Sequence, residues 1–153
     1  MKRIAIRSTV TIIIILAAAF FATTQLSRFA VDASLPQWHE DASGYQKALA
    51  QQRTSGKPIA LFFHTDWCAN CKKLRENVLA TATFNQYLNG VIAVKINPEK
   101  GHAEKQLAND YEVMGYPTFL MINSPNDKAN PVYRTQNISP ENFVEQCNQA
   151  LTS

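Results

Sequence analysis

Two cysteines three positions apart, Cys68 and Cys71, constrain this chain more than any other feature. They lie in Asp66-Trp67-Cys68-Ala69-Asn70-Cys71-Lys72, with an aromatic before the first and a lysine after the second. Upstream, Ile59-Ala60-Leu61-Phe62-Phe63 is a short apolar run that reads as a buried strand. Downstream, Cys71, Leu74 and Val78 recur at helical spacing. The pair therefore sits where a strand hands over to a helix, with Cys68 near the helix N-terminus. Unpaired backbone N–H groups and the helix dipole favour a thiolate there, which lowers a thiol pKa. One helical turn also brings the two Cβ atoms to about 5–6 Å. Modest adjustment from that spacing allows a disulfide. A pair so placed can cycle between dithiol and disulfide.

The chain has 153 residues, enough for one domain with a real core. Its formal net charge of +3 misleads. Lys2, Arg3, Arg7 and Arg28 lie in or beside an N-terminal apolar segment that holds no acid. Removing those four from 15 leaves 11 basic residues against 12 acidic. The folded part is close to neutral, so charge gives no argument for nucleic acid. Three cysteines are too few for a disulfide scaffold. The third, Cys147, is remote from the pair and reads as a core residue of the last helix.

Met1 to Arg7 is basic and Thr9 to Thr24 is almost wholly apolar, the pattern of an export signal. The apolar run is about 16 residues, slightly under the roughly 20 that span a bilayer comfortably. A cleaved signal peptide and an uncleaved membrane anchor both fit residues 1–26. A buried core helix is the bland alternative. Either export reading leaves the basic end in the cytoplasm and the domain outside it, anchored or released. Exported chains can hold disulfides. Ser27 to Pro36 reads as a linker, placing a single domain at 38–153.

Within that domain Trp38 to Gln52 is expected to be an amphipathic helix, ended by Thr54-Ser55-Gly56-Lys57-Pro58. Ile59 to His64 is the first strand, and Cys68 to Leu79 the cysteine helix. Phe84, Tyr87 and Leu88 mark a short helix ended by Asn89-Gly90. Val91 to Ile96 is a second strand, His102 to Asp110 a helix, and Thr118 to Ile122 a third strand. Ser124 to Asn130 carries hairpin turn residues, followed by an edge strand at Pro131 to Arg134. Ser139-Pro140-Glu141 opens the last helix with a cap, a proline at the first position and an early acid. Apolar strands separated by helices imply parallel pairing through right-handed crossovers, with antiparallel strands added by the closing hairpin.

These residues resemble the thioredoxin-like family from about Trp38 to the end. Its Trp-Cys-x-x-Cys-Lys motif stands at Trp67 to Lys72, its Gly-x-Pro-Thr loop at Gly115-Tyr116-Pro117-Thr118, and its Lys-x-Asn at Lys95-Ile96-Asn97. The Gly56-Lys57-Pro58 opening and the Thr65-Asp66-Trp67 lead-in look most like the periplasmic, DsbD C-terminal-type branch. The resemblance implies an α/β fold with a central mixed sheet flanked by helices. It implies that Cys68 is the attacking thiolate and Cys71 the buried resolving thiol. Pro117 would be cis, letting the backbone of Tyr116 pair with an extended substrate segment, and Trp67 would pack beside the site.

One departure matters. Thioredoxins usually carry a buried acid six residues before the first cysteine, and that position here is Phe62. Strand alternation puts His64 on the same face as Phe62. His64 or Lys95 is therefore expected to take over part of the proton-accepting role for the resolving thiol.

The expected function is thiol–disulfide oxidoreductase, an enzyme of the protein-disulfide reductase type acting outside the cytoplasm. Ala69-Asn70 between the cysteines carry no charge and no proline and give no push towards a strongly oxidising site. Expected partners are protein thiols and disulfides and a membrane electron donor, since no nicotinamide or flavin motif occurs and no cofactor is implied. A monomer is expected. The rival is a non-catalytic binding module, a chaperone surface or a copper site built on the two thiols. Structural zinc needs four ligands, and the chain has no second CxxC or paired histidine. Covalent haem attachment needs CxxCH, and position 72 is lysine. No metal is expected.

Overall fold

A computed structural model describes residues 38–132 and 137–152. The expected export segment at 1–26 and linker at 27–37 lie outside the described residues. Among the described residues no helix is long and apolar enough to cross a membrane.

The elements in chain order are β1 (His39–Glu40), α1 (Asp41–Ser55), β2 (Ile59–Phe63), α2 (Ala69–Leu74), α3 (Ala82–Tyr87), β3 (Ile92–Ile96), α4 (His102–Asp110), β4 (Thr118–Ile122), β5 (Asn130–Pro131) and α5 (Pro140–Leu151). The sheet runs β1-β3-β2-β4-β5. The β2 strand lies parallel to β3, from Ile59 opposite Ile92 to Phe63 opposite Ile96. It lies antiparallel to β4, from Ile59 opposite Ile122 to Phe63 opposite Thr118. The pairing of β4 with β5 is antiparallel.

All five residues of β2 are buried, as a central strand covered on both faces requires. Period-2 alternation divides them. Ala60 and Phe62 join Ala93, Phe119 and Met121 beneath Cys71, Leu74, Phe143 and Cys147. Ile59, Leu61 and Phe63 join Ile92, Val94, Ile96, Leu120 and Ile122 against Tyr45, Ala48 and Ala108. One face thus carries the cysteine helix and α5, and the other carries α1 and α4. Phe119 meets Phe143 edge-to-face at 5.1 Å between centroids, and Phe84 lies 5.8 Å from Phe143. Such pairs add about 0.5–1.5 kcal/mol each beyond the area they bury. They fix the floor on which the cysteines rest.

Several expected boundaries are corrected, the strands expected at Ile59 to His64 and Val91 to Ile96 each being shorter by one residue. The helix expected from Trp38 begins at Asp41, because His39 and Glu40 pair in parallel with Val94 and Lys95 as β1. That pairing is long-range, and local periodicity carries no trace of it. The same helix runs on to Ser55 and stops at Gly56, which takes φ 70° and donates its N–H to the carbonyl of Gln52. In the cysteine helix, Cys68 is the N-cap and the turn Arg75–Leu79 is a π-helix continuing α2. The edge strand expected at 131–134 begins one residue earlier as Asn130–Pro131, Val132 lies past its end, and residues 133–136 lie outside the described residues. The last helix opens as read: the Ser139 hydroxyl accepts the Asn142 N–H and proline stands in the first turn.

Candidate active site

The site forms at the end of β2. The His64 N–H donates to the carbonyl of Ile96 at 3.0 Å, extending the β2–β3 pairing by one residue. The chain then turns, and the Cys68 N–H donates to the Thr65 carbonyl at 3.3 Å. Cys68 has an extended backbone, and its Sγ accepts the Cys71 N–H at 3.0 Å. The Cys68 carbonyl accepts the Lys72 N–H at 3.1 Å, starting the helical ladder. A sulfur that caps a helix start and receives an N–H is placed where negative charge is favoured. Cys68 and Cys71 are joined as a disulfide with Cα atoms 5.2 Å apart. Both residues are buried, Cys71 at 2% exposure and Cys68 at 6%.

The second wall is the loop before β4. The Tyr116–Pro117 peptide is cis. Thr118 follows it, donates its hydroxyl to the Gly115 carbonyl at 2.7 Å, and pairs with Phe63. The antiparallel register therefore sets Pro117 beside the segment that leads to the cysteines. Trp67 stands over this junction with 70% of its surface exposed. Its indole N–H donates to Glu99 Oε1 at 2.8 Å, and its ring meets Tyr116 edge-on at 6.4 Å between centroids. Met114, 96% exposed, is the other large apolar side chain at the surface among the described residues. Sequence reasoning missed it. Its one signal was its place two residues before Tyr116, in the loop it shares with Pro117.

Phe62, at the position of the usual acid, is buried at 3% exposure between Trp38, His64 and Phe119. His64 stacks on Phe62 at 5.2 Å, on the same side of the sheet. Burial pulls its pKa below the ordinary histidine value, and the nearby Asp66 carboxylate opposes that shift. Lys95 pairs with Phe62 across the sheet, and its ammonium is held by Glu40 at 2.8 Å. Lys95 in turn keeps the Glu40 carboxyl below its ordinary pKa. The structure thus brings Cys68, Cys71, Trp67, Tyr116, Pro117 and His64 to one end of the β2–β4 pair. Lys95 stands on the next strand, engaged by a partner from β1. Cys147 lies fully buried in the core, where burial pushes its thiol up to about 12.

A strand-to-helix disulfide after one strand and a cis proline just before its antiparallel neighbour make a specific combination. A thioredoxin-like family model matches residues 37–124, which span both. The chain belongs to the thioredoxin-like family. Among curated relatives of this thioredoxin-like chain, the thiol:disulfide interchange protein DsbD 1 of Pseudomonas aeruginosa is 27% identical over 106 residues, 69% of this chain and 18% of that protein. The chloroplastic thioredoxin-like protein HCF164 of Oryza sativa is 31% identical over 134 residues, 87% of this chain and 46% of the relative. The chain therefore spans less than half the length of either. Among solved structures, the DsbH oxidoreductase superposes with a TM-score of 0.63 at 24% identity, over 80% of this chain and 89% of that one. The oxidised C-terminal domain of Neisseria meningitidis DsbD gives 0.61 at 19% identity, over 74% and 99%. These likenesses show the fold.

Proposed function

We propose that the protein is a thiol–disulfide oxidoreductase that reduces protein disulfides outside the cytoplasm through Cys68 and Cys71. The observation that carries this reading is the Cys68–Cys71 disulfide at the start of α2, with the cis Tyr116–Pro117 bond leading into the strand paired with β2. In the reduced state the Cys68 thiolate attacks a substrate disulfide. A mixed disulfide forms and one substrate sulfur leaves as thiolate, which takes a proton. The Cys71 thiol then loses its proton and attacks Cys68 Sγ. That closes the Cys68–Cys71 disulfide and releases the second substrate thiol, so two electrons pass to the substrate. A dithiol donor in the membrane resets the pair, which an uncleaved segment at 1–26 would keep close. Curated relatives named as thiol:disulfide interchange proteins support the exchange chemistry of this reading.

Trp67, Tyr116 and Pro117 form the substrate-binding edge in this mechanism. Trp67 offers an exposed indole, and the loop carrying Pro117 presents backbone to an extended segment. His64 accepts the Cys71 proton in place of the absent acid, with Lys95 as the weaker candidate because Glu40 engages it. A half-buried imidazole whose pKa is lowered is neutral at pH 7 and has a ring nitrogen free of its proton.

Insulin reduction by dithiothreitol tests the activity. Acceleration by the wild type that is lost in Cys68→Ser is expected, and equal rates for the two proteins would remove the enzyme reading. A redox titration of the pair decides its direction: a potential near about −270 mV fits a reductant, and one near about −120 mV fits an oxidant. For His64, the pH profile of mixed-disulfide resolution is expected to shift in His64→Ala. An unchanged profile sinks that role.

A further inference from the structure

The start of α1 is tied to the active-site tryptophan by a continuous set of side-chain contacts. Asp41, the first residue of α1, has φ 58°, a left-handed conformation that aspartate tolerates better than most residues. Each oxygen of its carboxylate has a partner. Oδ1 accepts the Asn97 N–H at 3.3 Å and Oδ2 accepts from Lys100 Nζ at 2.8 Å. Asn97 is buried at 2% exposure, and its Oδ1 accepts the Glu99 N–H at 3.0 Å. Glu99 Oε1 accepts the Trp67 indole N–H at 2.8 Å. One carboxylate therefore grips the loop after β3 at both ends, Asn97 shapes its middle, and that loop supplies the group that holds the indole.

We propose that Asp41 is a positioning residue for Trp67. It fixes the loop Asn97–Lys100 so that Glu99 orients the indole beside the cysteine pair and Tyr116. The effect on turnover rests on the function proposed above; the structural link does not. An exposed indole is ordered only by what it touches, and Trp67 is 70% exposed with Glu99 and Tyr116 as its side-chain neighbours. Freeing Glu99 removes the hydrogen bond that orients the indole N–H and leaves the ring edge-on to Tyr116. An indole that samples several orientations weakens substrate docking and leaves the sulfur chemistry as it was. The same β1–α1 junction is held further by Glu40 on Lys95 and by Glu104, whose Oε1 accepts the Ala42 N–H at 3.0 Å. Movement of Asp41 itself is thereby restrained.

The test uses Asp41→Gly, which accepts the left-handed backbone and removes the carboxylate with its methylene. Asp41→Ser is the second variant, shortening the group should the glycine protein not fold. Asp41→Asn keeps an oxygen for the Asn97 N–H. Glu99→Ala removes the last link directly. The first readout is the Trp67 indole resonance in 15N-labelled protein, assigned with Trp67→Phe. Glu99→Ala and Asp41→Gly are both expected to speed indole N–H exchange with solvent by threefold or more, and Asp41→Asn to stay within twofold of wild type. The second readout is kinetic, on a disulfide-bonded peptide. KM is expected to rise about threefold in both disrupting variants, with kcat within twofold and the potential of the cysteine pair unchanged. Altered indole exchange in Glu99→Ala alongside wild-type exchange in Asp41→Gly and Asp41→Ser overturns the proposal. If the wild type reduces no peptide, the function proposed above fails, and the indole readout still decides whether Asp41 positions Trp67.

Discussion

Lys95 stands between two residues that define its surroundings: Glu40 on β1, which holds its ammonium at 2.8 Å, and Phe62 on β2, its partner across the sheet. The lysine of the Lys-x-Asn landmark thus finds its counter-charge on the edge strand, while the central strand offers an aromatic ring. Phe62 with Trp38 and Phe119 makes this part of the cysteine face aromatic, and the His64 ring stacks on it.

Both members of the Glu40–Lys95 pair are substantially exposed, so the pair contributes little to stability. Glu40→Gln is expected to cost no more than about 1 kcal/mol in urea unfolding. The loss should shrink in high salt. A cost well above that range would show that the pair is screened from solvent far better than its exposure indicates.

Phe62→Asp restores the acid usual for the family, but into a pocket built for a ring. Phe62 is 3% exposed, and the neighbouring lysine is already engaged. The substitution is expected to cost about 3 kcal/mol or more, through lost packing and a buried carboxyl. Phe62→Leu should cost about 1.5 kcal/mol or less. Equal unfolding midpoints for the two variants would contradict this view of the position.

His64 gives stability a pH dependence whose sign follows from burial. Its folded pKa lies below the unfolded value of 6.5 because the half-buried site disfavours the imidazolium. The folded state binds fewer protons, so the contribution is full above pH 6.5 and is lost as pH falls through the folded pKa. Denaturant midpoints measured from pH 7.5 downwards should decline more steeply in the wild type than in His64→Phe. Parallel curves would show that His64 is not desolvated.

Cys147 should be inert. It is fully buried with a thiol pKa pushed up to about 12. Iodoacetamide at pH 8 is expected to label Cys68 in the reduced native protein and to reach Cys147 only after unfolding. Cys147→Ser should cost about 1–3 kcal/mol, since a hydroxyl there needs a partner. Rapid labelling of Cys147 in native protein would refute its place in the core.

What the sequence by itself determined is what neighbours in the chain can decide. The cysteine pair at a strand-to-helix junction follows from an apolar run, a three-residue spacing and helical periodicity, and Cys68 does cap α2. Ser139 caps α5, and Thr118 to Ile122 is a strand to the residue, for the same local reasons. The tertiary structure decided what depends on partners far away in sequence. A two-residue strand such as β1 exists only because β3 lies beside it. The choice of Glu40 by Lys95, the grip of Asp41 on the loop after β3, and the hold of Glu99 on Trp67 each join residues 32 or more positions apart. Hydrogen bonds and ion pairs act over about 3 Å, so which of several acids meets a given donor is fixed by strand register and loop path. Those are set by packing of the whole sheet, which no local pattern encodes.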